Sequence, residues 1–281
     1  MKTYFKSIIA IVTIIFTSCT DVVDVEVPTA APRLVIEASI DWEKGTLGNE
    51  QTIKLSESTP YFDSTTTSIV IGASVKITND SDNTEFIFAD QNNGEYTNTN
   101  FIPVLNQSYT LEVVYENETY IAKETLTSVV DIAEITQSRE GGFNSDALEV
   151  NVYFNDPPDE ENFYLFRFQE EGDLLPELED YSDEFTNGNL VTNFYEKEDD
   201  EDINQEEFEA GDVVYINLYG ISEQYYNYMS LLLEQYYSVG DPFSTTPVAL
   251  RGNCVNTTNP DNYGLGYFRL TEVVKTSYTF E

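Results

Sequence analysis

The chain has 281 residues and a large excess of acid, with 13 lysines and arginines against 51 aspartates and glutamates and a formal net charge of −38. This balance excludes binding to nucleic acid, because affinity for phosphate depends on lysines and arginines. The sequence contains no histidine, so the commonest general base and the commonest zinc ligand are both missing.

Residues 1–18 are predicted to be a cleaved signal peptide. Lys2 and Lys6 precede an apolar run at residues 8–16, which is roughly half the ~20 residues that a membrane-spanning helix needs. Residues 16–19, FTSC, resemble a bacterial lipobox, in which the cysteine receives a diacylglycerol. We therefore expect lipidation of Cys19 and attachment to a membrane through two or three acyl chains. The alternative is an ordinary secreted protein with an incidental cysteine at the cleavage site.

Residues 19–32 are predicted to form a lipidated tether, because Pro28 and Pro32 favour a short extended segment that packs poorly. Acidic residues close behind Cys19 resemble the signal that sends some lipoproteins to the outer face of the outer membrane; they are Asp21, Asp24 and Glu26. We expect the protein to be anchored in the outer membrane and to face the cell exterior.

Residues 33–130 are predicted to form an immunoglobulin-like or transthyretin-like β-sandwich. Apolar residues alternate with period two in three clear runs, which contain residues 34–40, 73–77 and 109–115. A polar turn within residues 115–120 joins two such runs as a hairpin, and residues 92–94, NNG, mark another turn. Six or seven short strands with this spacing favour a sandwich.

Residues 131–281 are predicted to form an acidic, β-rich second domain with one amphipathic helix, which makes the whole fold mostly β. The strand-like runs lie at residues 148–154, 163–168, 213–219 and 266–270. The helix is expected near residues 222–237, with Ser222 as its N-cap. Apolar residues at helical spacing form a stripe that is expected to pack on the core; they are Tyr225, Met229, Leu232, Leu233 and Tyr236.

Acidic residues are concentrated in residues 156–212, where the basic residues are Arg167 and Lys197. Residues 170–184 and 196–209 are expected to be mobile loops, because like charges repel and little apolar surface can be buried. Carboxylates are suitable ligands for Ca²⁺, and solvated surface is the alternative. The candidate ligands are Asp199, Asp200 and Asp202, together with the group Asp156, Asp159, Glu160 and Glu161.

Tyrosines cluster on the predicted helix, and three of them are candidates for a partner surface: Tyr225, Tyr228 and Tyr237. Tyrosine provides a large rigid contact area at a small entropic cost. Cys254 would have no disulfide partner once Cys19 carries lipid, and no histidine is present to activate it as a nucleophile. We therefore expect Cys254 to be buried and structural.

Several stretches of the chain occur in an order typical of one family. They are an acidic leader ending in PRLVIEASI, then LSESTPYFDS, GASVKITND, GEYTNTNF and SYTLEVVYENETYIAKET, and near the C terminus GDPF, ALRGNCVN and GLGYFRLTEV. In these stretches the chain resembles the domain-of-unknown-function 4249 lipoprotein family of Bacteroidetes-type bacteria. Members are commonly encoded beside TonB-dependent outer-membrane receptors. The resemblance therefore implies an accessory lipoprotein for surface nutrient capture or receptor assembly, and it carries over no catalytic residues.

Three functions remain open from the sequence. The leading hypothesis is a non-enzymatic outer-membrane lipoprotein that is accessory to a TonB-dependent β-barrel transporter and has no cofactor, Ca²⁺ aside. The second is a self-standing surface adhesin or glycan-binding module. The third is a hydrolase with two carboxylates about 5 to 9 Å apart, although the sequence contains no nucleophile elbow or phosphate loop.

Overall fold

The computed structural model describes residues 30–60, 68–158, 160–197, 199, 205–238 and 248–281. Of these, the residues from Pro32 onward form one compact unit. Sixteen strands and one helix lie in the described residues, so the predicted mostly β fold is confirmed.

Eight strands lie in the N-terminal half. They are β1 (Leu34–Glu43), β2 (Gln51–Glu57), β3 (Ser68–Ile69), β4 (Ser74–Asn79), β5 (Glu85–Asp90), β6 (Glu95–Asn98), β7 (Ser108–Tyr115) and β8 (Glu118–Thr125). The C-terminal half contains the others: β9 (Ile132–Ser138), β10 (Glu149–Asn155), β11 (Phe163–Glu170), β12 (Glu177–Ser182), β13 (Leu190–Glu196), β14 (Val213–Ile221), helix α1 (Glu223–Tyr237), β15 (Val255–Asn256) and β16 (Leu265–Thr279).

The N-terminal strands form a β-sandwich together with β15 and part of β16 from the C-terminal half. One layer contains β16, β1, β2 and β6, and the other contains β4, β7, β8 and β15. Strand β5 pairs with both β4 and β6 and therefore connects the layers. The alternating apolar residues of both layers point into one core, whose fully buried members include Ile36, Ile40, Ile53, Ile77 and Val113. The predicted β-sandwich is thus confirmed.

The predicted hairpin at residues 115–120 is also confirmed. Strands β7 and β8 pair along their whole length, from Ser108 opposite Thr125 to Tyr115 opposite Glu118. The two turn residues, Glu116 and Asn117, have φ angles of 49° and 65°. Two consecutive positive φ angles are typical of a type I′ turn, whose twist matches that of the adjoining strands.

A second sandwich lies in the C-terminal half. The sheet of β9, β10 and β13 packs against β11, β14 and the C-terminal part of β16, with buried residues such as Val152, Phe154, Phe166 and Ile216 between them. Helix α1 covers the opposite face of β11 and β14. Strand β11 has apolar residues on both faces from Phe163 to Phe168, apart from Arg167, because both faces of the strand are covered.

Strand β16 joins the two sandwiches into one sheet. Its first part pairs in parallel with β1, beginning with Leu265 opposite Val35. Its second part pairs antiparallel with β14, ending with Thr279 opposite Val213. The division of the chain near residue 130 stays a prediction.

Residues 170–184 are not simply a mobile loop as predicted, because they contain β12. This strand pairs with β11 over six positions, from Phe168 opposite Glu177 to Phe163 opposite Ser182. The backbone ladder does not depend on side-chain charge. In addition, the carboxylates have neutral donors, since Asn193 Nδ2 lies 2.8 Å from Glu179 Oε2. In the second predicted loop, residues 198, 200 and 201–204 lie outside the described residues.

Candidate functional site

A groove of about 670 Å³ lies between helix α1 and the outer face of β1, β2 and β16. One wall is formed by helix residues, the floor by β16 and the other wall by the exposed sides of β1 and β2. The lining residues used below are Tyr225, Tyr228, Tyr267, Glu37, Ser39, Thr52 and Lys54. A groove of this size falls within the range of about 300 to 1,000 Å³ that is usual for small-ligand sites.

Three tyrosine rings form one wall and part of the floor of the groove. The Tyr267 ring centroid lies 4.8 Å from that of Tyr225 and 4.9 Å from that of Tyr228. Tyr225 and Tyr228 are near-parallel, with centroids 6.2 Å apart. Because each ring contacts the others, the cluster is a preorganised aromatic surface.

The guanidinium group of Arg269 packs against the ring of Tyr225. Its guanidinium carbon lies 5.3 Å from the centroid of Tyr225 and 4.7 Å from that of Tyr219. The same guanidinium donates to Asp41 Oδ1 at 2.7 Å, so its position is fixed by a partly buried ion pair with β1. Burial raises the pKa of the Tyr225 hydroxyl, and Arg269 opposes this shift.

Glu124 connects the start of the helix to the floor of the groove. Ser222 accepts a hydrogen bond from the Tyr225 amide at 3.2 Å, as an N-cap does, and donates to Glu124 Oε2 at 3.0 Å. The Tyr267 hydroxyl donates to the same oxygen at 3.3 Å. Burial raises the pKa of Glu124 in spite of these donors. The predicted N-cap is confirmed.

The wall opposite the tyrosines is polar. Glu37 and Ser39 lie on the exposed side of β1, and Thr52 and Lys54 lie on the exposed side of β2. The backbone of Gly266 forms part of the floor with a φ angle of +91°, and a Cβ there would overlap the carbonyl oxygen of Ile36. Gly266 therefore allows β16 to approach β1 closely.

Two of the three predicted tyrosines, Tyr225 and Tyr228, lie in this groove, and the third does not. Tyr237 lies about 14 Å from Tyr228 along the helix axis. Its hydroxyl donates to the Glu177 carboxylate and, at 3.3 Å, to the carbonyl oxygen of Leu178. Tyr237 therefore connects the end of the helix to β12.

The predicted apolar stripe of the helix is only partly correct. Met229 and Leu233 are buried, whereas Tyr236 is 63% exposed and Leu232 is 38% exposed. The C-terminal part of the helix lies beside β12, the edge strand of the large sheet. Near this edge the sheet does not shield every helix residue of the stripe from solvent. Cys254 is buried as predicted.

Of the predicted Ca²⁺ ligands, Asp199 is exposed and accepts a hydrogen bond from the Glu207 amide at 2.9 Å. Asp200, Asp202 and the lipidation candidate Cys19 lie outside the described residues. Within the part of the chain that the structure describes, no three aspartates, glutamates or cysteines are grouped to hold a metal ion.

Sequence reasoning missed Tyr267 and Arg269. Both alternate with the buried Phe268 and Leu270 along β16. The sequence did contain a pattern that could have indicated them. An aromatic and a basic residue two positions apart lie on the same strand face, and their types differ from those of the core face. The sequence does not show that helix α1 covers this face.

A family comparison identifies the chain. The model described as Domain of unknown function (DUF4249) matches residues 20–277. The chain belongs to this family. A comparison with curated proteins finds no match.

Two solved structures share limited similarity with this DUF4249 protein. A two-domain fibronectin type III segment of chicken tenascin is 12% identical, with 67% of this chain and 90% of that chain covered and a TM-score of 0.21. A DUF4785 family protein from Legionella pneumophila is 9% identical, with 66% of this chain and 51% of that chain covered and a TM-score of 0.24. Neither likeness bears on function.

In the described part of this DUF4249 protein, no helix combines the length and apolar character needed to cross a membrane.

A second cavity, of about 700 Å³, lies between β12 and β13. These are the edge strands of the large and the small sheet, and the side chains that line the space include Glu179, Asn193 and Tyr195. Burial raises the pKa of Glu179 to about 7, although the hydrogen bond from Asn193 opposes the shift. Burial also raises the pKa of the Tyr195 hydroxyl. The cavity therefore contains a carboxyl group that titrates near neutral pH.

Proposed function

We propose that this DUF4249 protein is a non-enzymatic, lipid-anchored binding protein of the outer membrane that captures a neutral oligosaccharide in the tyrosine groove. In this proposal the protein serves a TonB-dependent transporter. The observation that carries the ligand assignment is the aromatic cluster of Tyr225, Tyr228 and Tyr267 opposite a polar wall.

The chemistry of the groove suits a sugar ring. One face of a sugar is rich in C–H groups and can pack on a tyrosine ring, while its hydroxyl groups need hydrogen-bond donors and acceptors. Glu37, Ser39, Thr52 and Lys54 provide both kinds of group on the opposite wall. The net charge of −38 disfavours an anionic polymer, which is why a neutral ligand is proposed.

The membrane anchor and the transporter rest on sequence features. The lipobox-like residues before Cys19 support lipidation of that cysteine. Membership of the DUF4249 family supports a neighbouring TonB-dependent receptor, because the resemblance implies that context. A self-standing glycan-binding module is the second candidate, since the same groove would serve it equally well.

A glycan array with the full-length protein tests the groove. Binding to neutral oligosaccharides is expected, and Tyr228→Ala should weaken it about tenfold, because loss of one stacked ring costs about 1.4 kcal/mol. Tyr236→Ala is the matched control, since Tyr236 is on the same helix and does not line the groove. Equal binding by both variants, or no binder on the array, would remove the ligand assignment.

Crosslinking and mild-detergent purification of the tagged protein from its native membrane test the partner. A copurified β-barrel of the TonB-dependent class is the expected result. If the protein is purified alone while the array shows specific binding, the self-standing module replaces the accessory role. Mass spectrometry of the N-terminal peptide decides the anchor, which requires lipid on Cys19.

A further inference from the structure

Three polar residues lie next to strand ends in the second sandwich. Asp156 directly follows β10, Asn162 directly precedes β11 and Asp183 directly follows β12. The last ladder pair of β11 and β12 is Phe163 opposite Ser182. The next position outward is also paired, because the Asp183 amide donates to the Asn162 carbonyl oxygen at 3.2 Å. Asn162 and Asp183 are therefore neighbours across the strand ends.

The turn at residues 183–189 brings Asp156 to this pair. It connects β12 of the large sheet to β13 of the small sheet, whose first residue, Leu190, lies opposite Asn155. The Asp156 amide donates to the Asn189 carbonyl oxygen at 3.0 Å. As a result, the side chain of Asp183 lies against that of Asp156.

The two carboxyl groups are buried without a basic partner. Asp156 is 4% exposed and Asp183 is 1% exposed, and no ion pair within the described residues involves either of them. Asp183 Oδ2 and Asn162 Oδ1 are both buried and have no hydrogen-bond partner in the described part of the chain. Two adjacent buried carboxylates repel each other, and unpaired buried charge is costly.

Asp156 also retains acceptor capacity. Its Oδ1 accepts from the Tyr164 hydroxyl at 2.8 Å, and its Oδ2 accepts from the Gly188 amide at 3.0 Å. An ionised carboxylate has about four lone-pair positions, so both oxygens can take a further partner. Both carboxyl groups therefore offer buried oxygens that can bind a cation.

We propose that Asp156, Asn162 and Asp183 form a binding site for a divalent cation, with Ca²⁺ as the preferred ion. The three side chains offer hard oxygens, and Ca²⁺ accepts six to eight such ligands in flexible geometry, including backbone carbonyls and water. Mg²⁺ is less suitable because it requires near-ideal octahedral coordination. The bound ion neutralises the carboxylates and links the ends of β10, β11 and β12. One of the three ligands is an amide, so the site differs from an acidic cluster.

Terbium luminescence tests the site in the full-length protein. Tyr164, which donates to Asp156, lies close enough to sensitise a lanthanide held there. Luminescence is expected to rise with added Tb³⁺ and to fall when Ca²⁺ is added in excess. The signal should be lost in Asp183→Asn and kept in Asp180→Asn, a control that removes one carboxylate from the same segment. An identical, calcium-insensitive signal in both variants would overturn the proposal.

Thermal unfolding provides the second measurement. Saturating CaCl₂ should raise the melting temperature of the wild type by about 3 °C or more relative to a chelator. Asn162→Leu keeps the size of the side chain but removes its oxygen, and it should lower the apparent affinity for Ca²⁺ about tenfold. This variant replaces Asp183→Asn in the test if Asp183→Asn does not fold. An unchanged wild type, together with an Asp183→Asn variant that melts higher at neutral pH, would instead show two carboxyl groups sharing a proton and would overturn the site.

Discussion

Replacing Glu179 with glutamine should make this protein more stable at neutral and alkaline pH. Burial raises the pKa of the Glu179 carboxyl from 4.5 to about 7. The hydrogen bond from Asn193 Nδ2 opposes the shift, and the carboxylates of Glu177 and Asp180 add to it. Glutamine keeps the carbonyl oxygen that Asn193 contacts but carries no charge. Glu179→Gln therefore removes the titration while it preserves the shape and the hydrogen bond.

The magnitude follows from the two pKa values. Between 4.5 and about 7 the folded protein binds a proton at Glu179 that the unfolded chain has released. The free energy of unfolding therefore decreases as the pH rises, by about 1.4 kcal/mol per pH unit from this group. Between pH 4.5 and about pH 7 the free energy of unfolding falls by at most about 3 kcal/mol. Solvent screens the partly exposed carboxylate and keeps the loss below the unscreened value. The glutamine variant should not show this loss.

Urea unfolding from about pH 5 to about pH 8 measures the effect as the difference in unfolding free energy between variant and wild type. This difference should increase with pH by about 2 to 3 kcal/mol. Glu140→Gln is the control, because it removes the same charge from an exposed residue. If the Glu179→Gln difference is as independent of pH as that of the control, the carboxyl group does not titrate near neutral pH and the reasoning is refuted.

Three further predictions test the packing of Gly266, Ser222 and Cys254. Gly266→Ala should lower the unfolding free energy by about 3 kcal/mol or more, because its Cβ would overlap the Ile36 carbonyl oxygen at a positive φ angle; an unchanged melting temperature would contradict the close strand approach. Ser222→Ala should cost about 1 kcal/mol by removing the helix cap and the hydrogen bond to Glu124, whereas Ser222→Thr should retain most of the stability. Burial raises the pKa of Cys254 to about 12, so a thiol reagent should label it only after denaturation, and fast labelling of the native protein would show that it is accessible.

Residues 34–40 show why most strands could be predicted from the sequence. Their alternation has the period of a strand with one buried face, and Leu34, Ile36, Ala38 and Ile40 are all buried in the structure. The helix could be predicted for a similar reason, because Ser222 precedes a run with helical spacing. Both patterns are local, so they do not depend on which other element lies opposite.

Strand β12 could not be predicted because its signal is not local. Glu177, Glu179 and Asp180 make the segment resemble a solvated loop, and its strand conformation depends on backbone pairing with β11. Donors from distant residues then accommodate the carboxylates, such as Asn193 for Glu179 and Tyr237 for Glu177.

Local sequence patterns specify the mostly β character, the N-terminal strands of the first sandwich and the helix with its cap, because periodicity and turn chemistry act over short distances. The strong negative charge follows from composition alone. Long-range contacts, in contrast, make β16 run through both sandwiches and place helix α1 over its outer face, where Tyr225 and Tyr228 lie beside Tyr267. Long-range pairing also brings Asp183, in the turn after β12, to Asp156. These sites join residues far apart in the chain, and no local pattern specifies which strand ends will meet.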